Sequence, residues 1–73
     1  MKQETLPFEA RTGWQSRVIE EKKMLDTKLT SLSNFLMLDG FRKLTPEDRD
    51  LLERQEALMK ELSRVLELRI SRF

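Results

Sequence analysis

Lys22, Gln55 and Arg69 are the residues best placed to do chemistry here, because each puts a polar group where the surrounding pattern calls for an apolar one. Gln55, Leu62 and Arg69 follow at intervals of seven on one helical face, and Lys22 interrupts a leucine stripe earlier in the chain. Three readings suit them. Paired to carboxylates, Arg69 with Glu21 or with an acid of another subunit, they fix helix register or oligomeric state. Lining a pocket between subunits, they bind an anion, which arginine grips bidentately. Left in solvent, they do neither.

Catalysis has less to work with. The chain has no cysteine and no histidine, which removes disulfides, thiolates, the usual zinc ligands and the commonest general base. The acidic pairs Glu20-Glu21 and Glu47-Asp48 have no companion group that would make them a metal or catalytic site, and they read as solvated faces. No catalytic residue, metal or cofactor is assigned, and the chain is not expected to be an enzyme. The basic pair Arg42-Lys43 reads as a solvated turn, with a phosphate contact as the alternative because a helix N-terminus lies close by.

The elements that must position these residues are two helices. With 73 residues the chain makes at most one small domain. Its 37% charged and 38% hydrophobic residues place it away from the composition of disorder. Residues 1–11 lack apolar periodicity and contain Pro7, so they are expected to form a flexible arm, with Phe8 a residue that docks. Thr12 and Gln15 make a capping-box pair at the start of the first helix. Val18, Leu25, Leu29, Leu32 and Leu36 then lay a stripe on one face, with Trp14 and Phe35 beside it. Gly40 suits the left-handed position that ends a helix. Thr45 as N-cap, Pro46 at the first helical position and Glu47, Asp48 and Asp50 in the first turn start the second helix.

The expected fold is therefore all-α: an antiparallel two-helix hairpin over about 12–38 and 46–72, within a domain of residues 12–73. Folding at residues 40–44 brings Leu36 near Leu51, Leu29 near Leu58, Leu25 near Leu62, and Val18 near Arg69. One seam of apolar contacts does not offset the entropy of ordering both helices, and the apolar face of the second helix is wider than one partner covers. A homo-oligomer, most simply a dimer forming a four-helix bundle, is expected. Trp14 packs as a cap over the far tip or serves as a partner contact. Leu68, Ile70 and Phe73 bunch at the C-terminus as a second buried contact, between subunits or to a partner.

The segments WQSRVIEEKKMLDTKLTSLSNF and FRKLTPEDRDLLERQEALMKELSRVLELRI resemble a large family of small tailed-phage proteins, relatives of a crAss-like-phage protein. Residues carrying the resemblance include Arg17, Val18, Glu21, Lys22, Leu25, Asp26, Lys28 and Leu29 in the first helix. In the second they include Leu51, Leu52, Arg54, Gln55, Met59, Ser63, Leu66, Arg69 and Ile70. Where that family often has a tyrosine this chain has Leu62, so no phenolic hydroxyl is available there. The resemblance implies a phage or prophage early-region accessory product acting inside a bacterium, and it transfers no biochemical activity.

Three function classes follow. The first is a protein–protein interaction module that binds a host or phage protein and alters host physiology, defence or the lysis–lysogeny choice. The second is an oligomeric sponge that binds a signalling nucleotide at a subunit interface through Lys22, Arg69 or Arg42. The third, a nucleic-acid-binding regulator, fits poorly with a net charge of +1 and no basic stripe. The longest apolar run, FLML at residues 35–38, is far shorter than a membrane span, so a cytoplasmic location and no membrane partner are expected.

Overall fold

A computed structural model describes residues 13–73. The expected arm at 1–11, the docking of Phe8 and the capping role of Thr12 lie outside those residues. Helix α1 runs Gly13–Phe35, the one-turn α2 runs Asp39–Arg42, and α3 runs Pro46–Ile70.

The start of α3 follows its residue types. Thr45 holds an extended backbone and its hydroxyl accepts the Asp48 N–H at 3.1 Å, satisfying one of the donors that a helix N-terminus leaves unpaired. Pro46 follows at the first position, with Glu47 and Asp48 in the first turn. At the other end Ser71 closes the helix, its N–H donating to the Glu67 carbonyl at 3.0 Å and its hydroxyl to that of Leu68 at 2.7 Å.

The elbow departs from expectation. No glycine among the described residues has a positive φ, so Gly40 is not a left-handed helix terminator and sits inside α2. Helix α1 ends earlier, at Phe35, and the chain tightens through three-residue hydrogen bonds from Met37 to Asn34 and from Leu38 to Phe35. Phe35 and Phe41 meet edge to face across this bend, 6.3 Å between centroids. A tight turn clasped by two rings does the work assigned to a glycine cap.

The long helices pack against each other as an antiparallel hairpin, tied near its tip by Trp14 with Phe73 and along its length by Asp26 with Ser63 and Ser33 with Glu56. On α3 the more covered residues are Arg49, Leu52, Glu56, Met59, Ser63, Leu66 and Ile70, recurring at alternating intervals of three and four. This inner row is displaced by one residue from the row Leu51, Leu58, Leu62 that the sequence pairing placed against α1. Leu51 is 59% exposed and Leu58 70% exposed, whereas Leu66 is 2% exposed. Both rows carry leucines at helical spacing, so the pattern alone does not choose between them; packing against α1 does. On α1 the inner row is Val18, Lys22, Leu25, Leu29 and Leu32, as expected. Among the described residues only Val18 and Leu66 are buried, and no helix among them is long and apolar enough to cross a membrane.

Candidate functional site

The lysine that interrupts the α1 stripe has a partner one turn away. Lys22 Nζ donates to Asp26 Oδ2 at 2.6 Å, and Ser63 Oγ from α3 donates to Asp26 Oδ1 at 2.6 Å. These two hydrogen bonds, Lys22 first, hold the Asp26 carboxyl below its usual range against a smaller opposing effect of burial. One heptad further along α1, Ser33 Oγ donates to Glu56 Oε2 at 2.5 Å, and Lys60 Nζ lies 3.8 Å from the same carboxylate oxygen. Lys22 therefore sits in the hairpin seam as part of a polar clasp.

Gln55 and Arg69 lie elsewhere. They belong to an outer row on α3, Leu51, Gln55, Leu58, Leu62, Val65 and Arg69, all exposed. Gln55 Nε2 lies 3.8 Å from Met59 Sδ, and with Leu51, Arg54, Leu58 and Leu62 they line a shallow groove of about 420 Å³. Arg69 is at the tip, where it lines a cleft with Trp14, Arg72 and Phe73. There Trp14 and Phe73 meet edge to face, 5.0 Å between centroids, with Trp14 still half exposed. The expected pairing of Arg69 with Glu21 is not formed among the described residues. Leu68 is exposed and Ile70 half-buried. The three polar positions thus occupy three different places: Lys22 in the seam, Gln55 on the outer face, Arg69 at the tip.

A larger groove of about 490 Å³ runs beside Leu62, within the size range of small-molecule sites. Its floor is Met24, Leu25 and Leu62, and its rim carries the cations Arg17 and Lys28 and the carboxylates Glu20 and Glu21. The cations form no ion pair among the described residues. Neither Arg17, Met24 nor Lys28 was singled out as a site residue by the sequence pattern. The signal was present: Trp14, Arg17, Glu21, Met24 and Lys28 recur at heptad spacing one residue ahead of the α1 inner row. Each long helix thus carries two neighbouring heptad rows, one packed within the hairpin and one open.

Among the described residues no group of acidic side chains could hold a metal ion. The chemistry this arrangement offers is recognition: apolar floors for a flat or aliphatic group, guanidinium and ammonium groups for an anion, and carboxylates for hydroxyl or amine donors.

No curated protein and no solved structure matches the chain. One protein-family model, described as Sequestin, matches residues 12–72. That span takes in both long helices, the clasps between them, the groove beside Leu62 and most of the tip, so the chain belongs to the Sequestin family.

Proposed function

We propose that the protein holds a ligand rather than transforming it: a non-enzymatic bacteriophage accessory protein that, as an oligomer of hairpins in the bacterial cytoplasm, sequesters a signalling nucleotide at a subunit interface. The observation that carries this reading is the groove beside Leu62, where an apolar floor is bordered by Arg17, Lys28, Glu20 and Glu21 on a face the hairpin leaves open. A nucleotide needs those three things: apolar surface for base and sugar, cations for phosphate, and acceptors for sugar hydroxyls or an amino group. The groove is too open to enclose a ligand alone, and a second hairpin laid on the same face completes it. The family name, Sequestin, points to sequestration.

Thermal unfolding with a panel of cyclic and linear signalling nucleotides tests this. A ligand held by the folded oligomer adds about 2.7 kcal/mol at a hundredfold excess over its Kd, and Arg17→Ala and Lys28→Ala are expected to remove the shift. A flat response across the panel would end the reading.

A second reading, a protein partner, is favoured by the exposed C-terminal apolar residues Leu68 and Phe73. It predicts that a host protein co-purifies with the wild type and is lost when Leu68, Ile70 and Phe73 are changed to Ser.

A further inference from the structure

The open row of α3 continues past the six residues that line its middle. Asp48, Leu51, Gln55, Leu58, Leu62, Val65, Arg69 and Arg72 follow one another at alternating intervals of three and four from the first turn of α3 to just beyond its last, the spacing of a coiled-coil seam. We infer that this row is the face on which a second copy of the chain docks, with the two α3 helices antiparallel about a two-fold axis beside Leu58 and Leu62. The inference rests on the reading of the protein as an oligomer of hairpins.

Two features of the row select this occupant and this direction. Its apolar residues fill the middle while its charges lie at the ends, acidic at the start and basic at the finish. Antiparallel pairing centred near residue 60 sets Leu58 against the second copy's Leu62, Gln55 against Val65, Leu51 against Arg69, and Asp48 against Arg72. Every charged end layer then faces either an opposite charge or an apolar surface that the arginine stem covers. Parallel pairing sets Asp48, Arg69 and Arg72 each against its own copy, which is repulsive, and stacks the helix dipoles unfavourably. Asp48, Arg69 and Arg72 have no ion-pair partner among the described residues, so they are free to meet one.

A two-fold contact of this kind is self-complementary. It covers Leu51, Leu58, Leu62 and Val65, which are between 42% and 70% exposed in the hairpin. It also brings the second copy against Leu62, which is shared with the groove bordered by Arg17 and Lys28.

Because the chain has no cysteine, engineered thiols report the geometry directly. The double variant Gln55→Cys/Val65→Cys is expected to oxidise to a covalent dimer, while Gln55→Cys alone is not. A disulfide needs Cβ atoms about 4 Å apart, which the antiparallel register brings to 55 with 65 and the parallel register to 55 with 55. Light scattering of the wild type is expected to give twice the 8.7 kDa chain mass or an even multiple of it. Leu58→Glu is expected to weaken self-association at least tenfold while circular dichroism keeps its helical signal, since Leu58 contributes little to the single hairpin. A monomeric wild type, ready self-linking of Gln55→Cys without a 55–65 link, or undiminished association of Leu58→Glu would overturn the inference. No nucleotide enters these experiments, so they succeed or fail separately from the sequestration test.

Discussion

Asp26 shows how one side chain turns an apparent defect in the apolar pattern into a structural device. Alone, Lys22 in the seam carries the cost of a partly covered charge; with Asp26 one turn on and Ser63 opposite, the charge is balanced and α1 is bound to α3. The depressed pKa of Asp26 has a definite sign in stability. Its contribution is fully present above the unfolded value of about 3.9 and is lost as pH falls through the lower folded value. Thermal midpoints measured from neutral pH into the acid range are expected to fall less steeply for Asp26→Asn than for the wild type over that window. Ser63→Ala is expected to cost about 1 kcal/mol in urea unfolding, the size of one lost hydrogen bond. Much of this residue-level picture was hidden in the sequence. Lys22 stood out because it breaks a stripe, but Asp26 and Ser63 look like ordinary surface residues until the two helices are brought together.

At the scale of elements, helix boundaries follow local chemistry where a side chain dictates it and depart where packing decides. Thr45, Pro46 and the two acids after them start α3 as their types require, and Thr45→Ala is expected to cost about 1 kcal/mol. Gly40 is the opposite case. A glycine between two helices suggests a left-handed stop, yet its backbone lies in ordinary helical space, and an added Cβ would sit 3.5 Å from Phe35 Cε1. Gly40→Ala is therefore expected to be neutral or to stabilise by up to about 1 kcal/mol, by restricting the unfolded chain; a left-handed glycine would give a clear loss in the same melt. The hairpin was legible because stripe, turn and cap signals agree. The packed row on α3 was not, because Leu51 and Leu52, Leu58 and Met59, and Val65 and Leu66 offer neighbouring apolar positions and periodicity cannot rank two rows a single residue apart. The groove beside Leu62 was missed for a related reason: Arg17 and Lys28 read as surface charge, and only the fold lays them around an apolar floor.

For the whole molecule the thin interior matters most. With Leu66 the one fully buried residue described and Val18 nearly so, the single hairpin is thinly held, and the proposed second copy adds stability to a fold that each chain forms by itself. Its thermal midpoint is then expected to rise with protein concentration, measured over two decades by circular dichroism; a midpoint independent of concentration would show a hairpin stable alone. Such a chain must also avoid pairing its two helices wrongly as it folds, and the two clasps supply a guard. Along α1 the order is acid at Asp26 then hydroxyl at Ser33, and along α3 it is acid at Glu56 then hydroxyl at Ser63, so each acid meets a hydroxyl in the native register. A slip of one heptad would still set apolar rows against each other. It would also bring Asp26 against Glu56 in one direction, or Ser33 against Ser63 with both acids stranded in the other. The clasps act as a parity check on a repetitive code, rejecting the slipped pairings that the leucines would accept.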